Sequence, residues 1–441
     1  MFRYITVILI FASIYSFSYI IIREPFELYP SYIIFALYFP VLFVKYGIPK
    51  WPVLIFLPLF ISGILYIQTG DNTSQQFFKI FIGFFASALF YHYVIQVFDY
   101  DLKLLFKYYM KSAYIVSLIG IVQLLSYSVG FRPGYDFHWI FNKWSITFGG
   151  LGIRMNSVFS EPAYFAAVIA PAFFVCVYNS IGRNPLFITK RQSWIMGVTY
   201  MLSFSSLGIL AVFFTILFLL FNLGFFRYAI VFVPLLIFTS DWAYKNVPEF
   251  RDRWDGTFEI YTTDNIYSYD IHGSSFVLYN NSHVAWQNFI RHPMMGTGLG
   301  SHPIAYDKYS LTQVEGAVQI DFNKMDANSM FLRLMSETGL YGMVLILMLV
   351  IRCWVFKSGT QERELWVMSN ALLLIILLYL LRQGHYFING FPFFLWMYYY
   401  VAMENWSKKK QAVVDADALK DLEIAELRQT ISLNRIARGR T

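Results

Sequence analysis

The chain has 441 residues, of which 57% are hydrophobic, 20% aromatic and 14% charged, and its mean hydropathy is +0.50. This composition excludes an ordinary soluble protein and predicts a chain that crosses a membrane several times. The formal net charge of +7 does not indicate nucleic-acid binding, because the basic residues lie in short patches between apolar runs. Cys176 and Cys353 both lie within apolar runs, which favours neither a disulfide framework nor a cysteine metal site.

The apolar runs predict the membrane spans. About 20 residues cross a hydrocarbon core ~30 Å thick. The first run lacks a small-residue cleavage site, so we interpret it as an uncleaved span and not a removable signal peptide. The clear candidate spans are 4–22, 31–46, 51–68, 77–98, 112–130, 161–181, 330–352, 366–382 and 386–402.

Residues 193–240 are harder to divide. A single helix over 193–222 would be ~45 Å long, which is too long for one ordinary span. The segment LSFSSLGIL at 202–210 interrupts that helix with three serines and a glycine. We therefore predict two short spans that meet at 203–208 and a third span at 228–240. The sequence then predicts an all-α polytopic membrane protein with about 12 transmembrane helices.

The basic residues favour this count. With twelve spans and a cytoplasmic N-terminus, the clusters on the cytoplasmic side include Lys45 and Lys50; Lys103, Lys107 and Lys111; Arg352, Lys357 and Arg363; and the KKK run at 408–410. A single crossing at 193–222 would turn the later clusters outward, against the rule that Lys and Arg accumulate in cytoplasmic loops.

Two long connections then face outward, 131–160 and 241–329, and both are rich in aromatic residues. Such long loops are usually functional or disordered, and the aromatic content favours order. We therefore divide the chain into an N-terminal bundle at 1–240, the large outer loop, a C-terminal bundle at 330–403 and a cytoplasmic tail at 404–441. Apolar residues at helical spacing predict an amphipathic helix in the tail, and a solvated, partly disordered tail is the alternative.

The segment RMNSVFSEPAYF at 154–165 combines a helix start with an arginine. Ser160 can cap a helix whose first turn contains Pro162. Arg154 can lie over the amino end of that helix, where free N–H groups favour an anion, and its guanidinium suits a phosphate. Glu161 would then orient Arg154 or act as a base. An ordinary interfacial arginine that meets lipid headgroups is the alternative.

The segment AWQNFIRHPMMGTGLGS at 285–301 predicts a short helix that ends at His292, followed by a turn. Three glycines alternate in that turn: Gly296, Gly298 and Gly300. This pattern is weak for a nucleotide site without a preceding strand, and it indicates a tight backbone turn that approaches the membrane or a ligand closely. Arg291 is a candidate cation for a diphosphate. His292 is a candidate general base or a helix-end residue.

The segment DANSMFLRLMSETGLYG at 326–342 opens a late span with polar residues. Asp326 or Asn328 can cap the helix, and Arg333 and Glu337 are spaced to neutralise each other as the chain enters lipid. We interpret Glu337 as structural more than catalytic, and Asp326 as one of several candidate bases.

The segment LLRQGHYFINGFPFF at 380–394 joins two spans on the outer side. Arg382 and His385 lie in this connection, where a cation and a histidine need a partner or water. Both are candidate site residues, and an interfacial anchor is the alternative.

The sequence carries no recognisable metal motif. His272, His283, His292 and His302 are 11, 9 and 10 residues apart, unlike close-spaced zinc ligands. There is no GxSxG elbow, and the acidic DYD at 99–101 falls on the predicted inner side. We therefore expect a site on the outer face without metal or cofactor, whose donor substrate arrives on a lipid.

The run HPMMGTGLGS at 292–301, followed after a spacer by DANSMFLRLMSETGLYG, resembles the superfamily of bacterial O-antigen ligases and Wzy-type polysaccharide polymerases. In that family a P-x-x-G-x-G turn in a large outer loop precedes an HN-x-x-L-x-x-L-x-E-x-G-x-x-G helix start. The matching positions are Pro293, Gly296, Gly298 and Gly300 in the turn and Leu332, Glu337, Gly339 and Gly342 in the helix. Arg154 is similar to the arginine that precedes the sixth span of the family.

Four positions depart from the ligase pattern. Asn328 stands where the family has a histidine that is considered essential in ligases, and Ser329 stands where it has an asparagine. Ligases often carry two further arginines, one near the loop helix and one in the interrupted span. Those places hold Ser282, or a close neighbour, and Ser206. The resemblance therefore implies a polymerase more than a ligase.

The resemblance implies a GT-C-like glycosyltransferase architecture with a large periplasmic loop, in the bacterial inner membrane. It implies metal-independent joining of oligosaccharide repeat units that are carried on undecaprenyl diphosphate. The diphosphate would meet Arg154, Arg291 and Arg382. The residues that compete for the role of base are Glu161, His292, Asp326 and His385. Candidates for stacking on sugar faces are Tyr135, Trp139, Trp144 and Trp286.

The partners that the resemblance implies are the lipid-linked oligosaccharides, the bilayer, a chain-length regulator and a flippase. As stated above, the basic residues do not indicate a nucleic-acid partner. Two alternatives remain. The first is an O-antigen ligase or other lipid-linked-glycan transferase. The second is a lipid-linked oligosaccharide flippase or another transporter, which should concentrate ionisable residues near the bilayer midplane. Here they collect at the outer mouth, which favours an enzyme.

Overall fold

The computed structural model describes residues 2–24, 27–149, 152–224, 229–246, 248–262, 273–312, 321–357 and 362–438. Within these ranges the chain is almost entirely helical, and its only sheet is a two-stranded hairpin. Five helices among these residues are long and apolar enough to cross a membrane. The prediction of an all-α protein embedded in a membrane is therefore confirmed.

The helices follow the apolar runs closely. In the first part of the chain they are α1 (Phe2–Tyr15), α2 (Pro30–Tyr46), α3 (Trp51–Thr69), α4 (Ser74–Val97), α5 (Leu102–Ser128), α6 (Arg132–Tyr135), α7 (Pro162–Ile181), α8 (Lys190–Met201) and α9 (Ser206–Asn222). In the second part they are α10 (Ala229–Asn246), α11 (Pro248–Thr262), α12 (Gly273–Arg291), α13 (His302–Tyr309), α14 (Met330–Arg352), α15 (Arg363–Arg382) and α16 (Phe391–Arg438). The hairpin consists of β1 (Thr147–Gly149) and β2 (Gly152–Arg154), which pair antiparallel. The five long apolar helices are α4, α5, α7, α14 and α15.

Several helices meet at one end of the bundle, which we call the cavity end. There α4 and α14 begin and α15 ends, and the Ser329 hydroxyl donates a hydrogen bond to the Leu380 carbonyl at 2.6 Å. At the opposite end, Glu362 accepts hydrogen bonds from Lys103 at 2.5 Å and from Lys408 at 2.8 Å. Polar contacts thus join helices at both ends of the bundle, and the core between them is mainly apolar.

The centre of the bundle is formed by α7 and α15. Ala166 and Val168 in α7 and Leu374 in α15 are fully buried. Neighbouring helices reach this centre through tyrosines: Tyr109 in α5 donates its hydroxyl hydrogen bond to the Val168 carbonyl at 2.7 Å, and Tyr200 in α8 donates to the Ala166 carbonyl at 2.9 Å. A buried tyrosine packs its ring while its hydroxyl finds an acceptor, so these contacts fix both the depth and the orientation of the helices.

The predicted interruption between two short helices is confirmed. α8 ends at Met201, α9 begins at Ser206, and Phe204 between them has a φ of 44°. The Ser203 hydroxyl donates a hydrogen bond to the Tyr200 carbonyl at 2.8 Å and so satisfies an acceptor at the end of α8. α8 has 12 residues, or about 18 Å of helix, and does not reach across a full hydrocarbon core by itself.

The first helix is shorter than the predicted span at 4–22. α1 ends at Tyr15, and a 3-10 turn at Ser16–Ser18 follows. The Ser18 hydroxyl donates a hydrogen bond to the Val158 carbonyl at 2.6 Å. The chain therefore leaves the helix to contact the 131–160 segment, a long-range contact that apolarity alone does not signal.

The last helix differs from the sequence prediction at both ends. It begins at Phe391 and not at 386, because a 3-10 turn at Ile388–Gly390 precedes it and Gly390 has a φ of 69°. It then continues to Arg438 without a break at 404. The tail is therefore a continuation of the final apolar helix.

The predicted outer loop at 241–329 contains helices. α10 extends into it as far as Asn246, and α11, α12 and α13 follow within 248–262 and 273–312. The helix predicted to end at His292 is confirmed, since α12 ends at Arg291. His272 lies outside the described residues.

The glycine turn at 292–301 wedges between three helices. Gly296, Gly298 and Gly300 all have positive φ. A Cβ atom at Gly296 would lie 2.4 Å from the carbonyl carbon of Glu337 in α14. At Gly298 it would lie 2.8 Å from the Cα of Gly63 in α3, and at Gly300 2.6 Å from the carbonyl oxygen of Gln76 in α4. The tight turn is thus confirmed. Its close approach is to the backbones of the protein's own helices, where the sequence analysis expected the membrane or a ligand.

α14 is broken where this turn meets it. Gly339 has φ 56° and ψ −146°, outside the helical region. The N–H groups of Leu340 and Tyr341 donate hydrogen bonds to the carbonyls of Pro293 at 2.8 Å and Met294 at 3.1 Å. In return, the Glu337 carbonyl accepts from the N–H of Gly298 at 2.8 Å. The turn therefore supplies the hydrogen bonds that the helix loses at its break.

We expect Gly296→Ala to destabilise the protein more than a glycine replacement in an open turn. Gly70 also has positive φ, but a Cβ atom there meets nothing within 4 Å. Gly70→Ala should cost about 1 kcal/mol of backbone strain, and Gly296→Ala about 2 kcal/mol more from the clash with α14. Thermal unfolding of the purified variants in detergent measures the difference. Equal unfolding midpoints would show that the turn does not pack as described.

Candidate functional site

A cavity of about 400 Å³ lies at the cavity end of the bundle. Its walls come from six parts of the chain: the α1–α2 connection with the start of α2, the 131–160 segment, α4, the glycine turn with α13, the start of α14 with the residue Met325 before it, and the α15–α16 connection. The polar residues that line it are Arg23, Glu27, Tyr29, Tyr32, Gln76, Lys79, Lys143, Arg333, His385 and Tyr386. Four cations and one acid line this space. Lys143 is paired with Glu27, and Arg333 with Glu337. Arg23 and Lys79 therefore provide the excess positive charge, which favours an anion.

Lys143, Glu27 and Tyr29 form a connected group on one wall. Lys143 donates hydrogen bonds to Glu27 at 2.8 Å and to the Tyr29 hydroxyl at 2.6 Å, and the Tyr29 hydroxyl donates to the same carboxylate. Burial raises the pKa of Glu27, but the contacts with Lys143 and Tyr29 outweigh it and the net pKa is lowered. Glu27 is therefore an anion that holds Lys143 at the cavity wall.

Arg23 and the 131–160 segment are fixed to each other. Asn142 accepts a hydrogen bond from the N–H of Ile20 at 2.8 Å and donates one to the Ile20 carbonyl at 2.7 Å. Arg23 donates to the Asn142 carbonyl at 3.1 Å. This reciprocal pairing brings the segment across the end of α1 and positions Lys143 next to Glu27.

Lys79 projects from the second turn of α4. It is half-buried in an otherwise apolar stretch of the helix, and it lines the cavity with Gln76 one turn earlier. A lysine in this position is costly unless its ammonium group has water or an anionic partner. Lys79 thus adds a positive charge to the same cavity from α4.

The side chains of Asp326 and His385 are in contact at the cavity end. The His385 Nε2 lies 3.1 Å from an Asp326 carboxylate oxygen. Asp326 is buried, and it also accepts hydrogen bonds from the N–H of Asn328 at 3.1 Å and from the Asn323 amide at 3.2 Å. Burial raises the pKa of Asp326, but His385 and the N–H of Asn328 outweigh it, and the net pKa lies below its ordinary range. Asp326 is therefore a carboxylate that orients His385.

Arg333 and Glu337 form the buried pair that the sequence predicted. Their side chains are 2% and 0% exposed, and Nε of Arg333 lies 2.8 Å from the Glu337 carboxylate. Arg333 also donates to the Gly384 carbonyl at 2.9 Å and lies 4.7 Å from the ring centre of Tyr386. The Tyr386 hydroxyl donates to the second Glu337 oxygen at 3.0 Å. This network joins α14 to the turn before α16 and supports the interpretation of Glu337 as structural.

Asn288 in α12 and His302 at the start of α13 support the same region from either side of the glycine turn. The N–H of His302 donates to Glu337 at 3.4 Å, and its Nε2 lies 3.0 Å from the Asn281 amide oxygen. Asn288 donates to Thr297 at 2.9 Å and to the Ser336 carbonyl at 2.9 Å. His302 is fully buried, and burial is the main cause that lowers its pKa to about 3. It is therefore neutral at physiological pH.

Among the residues that the sequence analysis proposed, His385 and Asp326 are brought together. Glu161 lies at the start of α7 and is exposed, and Tyr164 one turn later lies 6.2 Å from the His385 ring. Arg154 lies at the end of β2, half-buried and paired in register with Thr147. It is not one of the described residues that line the cavity.

The other proposed cations and histidines are dispersed. Arg291 is exposed, donates to the carbonyl and side chain of Gln287 at 2.7 and 2.8 Å, and stacks over the Tyr309 ring at 4.6 Å. His292 lies 3.3 Å from the Tyr66 hydroxyl on α3. Arg382 is half-buried at the last position of α15. None of these belongs to the described lining of the cavity.

The aromatic candidates also have different surroundings. Trp144 is buried and donates its indole N–H to the Ser157 carbonyl at 2.9 Å, so it is a structural residue. Tyr135 packs against Tyr127. Trp139 and Trp286 are exposed.

Two predicted helix caps are corrected. The hydroxyl of Ser329 caps α14 by accepting from the N–H of Leu332, in the place proposed for Asp326 or Asn328. Asn328 instead has positive φ and directs its N–H to Asp326. At α7 the cap position is Glu161, without a side-chain hydrogen bond, and not Ser160.

Lys79, Lys143, Glu27 and Arg23 were missed by the sequence analysis. Each is a charged residue within a few positions of an apolar run, which is also the position of ordinary interfacial anchors. A lysine in the second turn of an apolar helix, as at Lys79, was the best available signal. The four line one cavity although they come from three separate segments, so local pattern does not reveal that they belong together.

No group of three His, Cys, Asp or Glu side chains suited to a metal occurs among the described residues. A comparison with models of known protein families found no match, and a comparison with curated proteins found none either. The fold and site thus define a helical membrane protein with a cationic cavity at one end. The likeness to ligases and polymerases rests on the two sequence motifs.

We expect Glu337→Gln to destabilise the protein by about 3–5 kcal/mol, because it leaves a buried arginine without its counter-charge. The double variant Arg333→Met with Glu337→Leu removes both charges and should recover part of that loss. Asp241→Asn, at the exposed pair with Lys245, should change the unfolding free energy by less than about 1 kcal/mol. Denaturation in detergent measures all three. Similar losses for Glu337→Gln and Asp241→Asn would contradict a buried pair.

We expect stability to fall as the pH is lowered below the ordinary histidine range. His302 has a folded-state pKa of about 3 against an ordinary 6.5, so the unfolded chain binds the proton first and acid favours unfolding. The loss due to His302 is about 2 kcal/mol at pH 5. The unfolding midpoint of His302→Gln, measured from pH 7.5 to 5, should depend less on pH than that of the wild type. An unchanged slope would show that His302 is not buried neutral.

Proposed function

We propose that this protein is a Wzy-type polysaccharide polymerase, an integral membrane glycosyltransferase with about twelve spans and a GT-C-like architecture. It joins oligosaccharide repeat units carried on undecaprenyl diphosphate at the outer face of the inner membrane. The observation that carries the proposal is the cationic cavity. The glycine turn and the first turn of α14, which carry the resemblance, both contribute to its walls.

The orientation follows from charge. Lys103, Lys408 and Arg363 lie at the end of the bundle opposite the cavity, and Lys and Arg accumulate on the cytoplasmic side of membrane proteins. The cavity then faces the periplasm, where a lipid-linked glycan is presented after its transfer across the membrane.

The cations of the cavity are suited to bind the diphosphate of the donor. Lys79, Lys143 and Arg23 come from three separate segments and face one space, so they can contact both phosphates of a leaving group. Preorganised cations that neutralise the charge developing on that group lower the barrier to its departure. Glu27 keeps Lys143 in place without cancelling the positive charge of the cavity.

The Asp326–His385 pair is suited to act as the general base. As the acceptor hydroxyl attacks the anomeric carbon of the donor sugar, its proton passes to the imidazole of His385. The bond between that carbon and the diphosphate oxygen breaks, and the lipid diphosphate leaves with the bonding electrons. Asp326 holds the ring and stabilises the imidazolium that forms. The other candidate bases lie elsewhere: Glu161 is exposed at the start of α7, His292 contacts the Tyr66 hydroxyl, and neither is among the described residues that line the cavity.

Two features favour a polymerase over the alternatives. Asn328 replaces the histidine expected in ligases, and its N–H is occupied by Asp326. A transporter should place ionisable groups near the bilayer midplane. The cavity's charged residues instead gather at one end of the bundle.

Deletion of the gene tests the function. We expect single repeat units attached to the surface anchor, whereas loss of a ligase would leave long unattached chains and loss of a flippase would retain the units on the cytoplasmic side. Complementation with His385→Asn or Asp326→Asn should lower polymerisation about 100-fold or more. Lys143→Ala should lower it roughly 10- to 100-fold.

Lys308→Ala is the matched control for Lys143→Ala, because Lys308 pairs with Asp71 outside the described cavity lining. It should leave polymer length unchanged. Arg154→Ala is an additional comparison. Full activity of this variant would show that Arg154 is not part of the site. Long, normally attached polymer in the deletion strain would refute the polymerase proposal.

A further inference from the structure

Helix α12 turns a row of large apolar side chains outward. Trp286 is 53% exposed, Ile290 one turn later is 49% exposed, and Met294 in the glycine turn that follows is 67% exposed. The opposite face of α12 is buried through Val284 and Ala285. Large apolar side chains that cluster on a surface mark a place where a protein contacts a membrane or another molecule.

The length of α3 shows where the membrane boundary lies near α12. α3 has 19 residues, or about 28 Å of helix, which matches the ~30 Å thickness of the hydrocarbon core. Asp71, just beyond the end of α3, forms an ion pair with Lys308 in α13. Because charged groups of this kind need water, the end of α3 lies close to the membrane boundary on the cavity side.

The chain that follows α12 descends below that boundary. The ring centres of His292 and Tyr66 are 5.2 Å apart, and Tyr66 lies about 5 Å along the helix before the end of α3. Gly298 then packs directly against Gly63, which lies about 9 Å before the same end. α12 therefore ends at membrane depth, and the glycine turn enters the membrane-spanning part of the bundle before the chain returns in α13.

The exposed side chain of Met294 continues the lipid-facing surface of the bundle. The Met294 carbonyl accepts a hydrogen bond from the N–H of Tyr341 at 3.1 Å, which places the turn beside α14. Leu340 and Val344 on α14 and Leu65 on α3 are exposed, and α14 is long and apolar enough to span a membrane. Apolar side chains that are exposed on such helices face lipid, so the outward face of α12 meets the same bilayer.

Arg291 lies at the edge of this face. It is exposed, and its Nη1 donates hydrogen bonds to the carbonyl and the side chain of Gln287 at 2.7 and 2.8 Å. Its guanidinium carbon lies 4.6 Å from the ring centre of Tyr309 in α13. These partners are neutral, so they orient the guanidinium without cancelling its charge. A guanidinium held in this way at a membrane boundary is suited to a lipid phosphate.

We propose that α12 lies in the membrane interface on the cavity side. Trp286, Ile290 and Met294 contact the upper acyl chains, and Arg291 contacts the phosphate of an anionic phospholipid. A helix with an apolar face, a tryptophan and a cation at phosphate level has the composition of an interfacial helix. The occupant is lipid and not a partner protein, because the face continues the lipid-facing surface of α3 and α14 and ends below the membrane boundary.

This inference requires only that the bundle is embedded in a membrane, and it does not depend on the proposed polymerase. The bilayer would hold α12 and the glycine turn against α14 from outside the bundle.

Fluorescence quenching in lipid nanodiscs tests the depth of α12. The full chain would carry Ile290→Cys labelled with bimane, and some lipids would carry a spin label high on the acyl chain as quencher. We expect quenching at least about threefold stronger than at Asp307→Cys, because Asp307 is exposed on α13 and pairs with Lys324. The unsubstituted chain measures background labelling, since Cys176 and Cys353 are buried.

Met294→Cys repeats the measurement if Ile290→Cys fails to fold. Equal quenching on α12 and at Asp307 would overturn the inference, since the face would then meet water or a protein partner.

Thermal unfolding of the detergent-solubilised protein tests the contact of Arg291 with a headgroup. We expect added phosphatidylglycerol to raise the unfolding midpoint of the wild type by about 3 °C or more, and Arg291→Gln to lose at least about half of that rise. Arg132→Gln is the matched control, because Arg132 is exposed at the same end of the bundle but pairs with Asp136. It should keep the full rise.

Inorganic phosphate separates a lipid from a free anion in the same assay. It should leave the midpoint of the wild type unchanged. A rise with inorganic phosphate that Arg291→Gln abolishes would replace the lipid with a free anion and overturn the headgroup contact. So would equal rises with phosphatidylglycerol in the wild type and in Arg291→Gln.

Discussion

The structure depends on an exchange of main-chain hydrogen bonds between the glycine turn and the break in α14. A helix inside a membrane has no water to satisfy backbone groups that it leaves unpaired. The break at Gly339 is possible because Pro293 and Met294 accept from the N–H groups beyond it, while Gly298 donates to Glu337. Gly300 of the turn and Arg333 of α14 both line the cavity, so this contact fixes two of its walls relative to each other.

The same packing of the turn against the helices explains the spacing of the three glycines. Each faces a different helix, Gly296 on α14, Gly298 on α3 and Gly300 on α4, and each approach leaves no room for a side chain. A segment outside the bundle is thereby fixed to three helices through main-chain contacts, which depend little on side-chain identity. Arg333 and Glu337 add a polar network one turn earlier on α14. Together they hold the His385 connection and the turn in a fixed relation.

The sequence predicted local features well. The apolar runs, the break after Met201, the Arg333–Glu337 pair and the end of α12 all depend on neighbouring residues, and the structure contains each of them. Three of the cavity's cations, Arg23, Lys79 and Lys143, were not predicted, because only long-range folding brings their separate segments to one space. The arginines chosen instead matched the chemistry of a diphosphate but lie on separate surfaces, since residue type indicates a possible role without giving position.

The length of α16 couples the two faces of the membrane. Its 48 residues correspond to about 72 Å of helix, more than twice the ~30 Å hydrocarbon thickness. One end begins next to the cavity, after the turn at Ile388–Gly390, and the other extends far beyond the opposite end of the bundle. For a straight helix of this length, a tilt of about 5° at Phe391 corresponds to a displacement of about 6 Å at the far end. A tilt of the helix at the cavity would thus displace the part of α16 that extends into the other compartment.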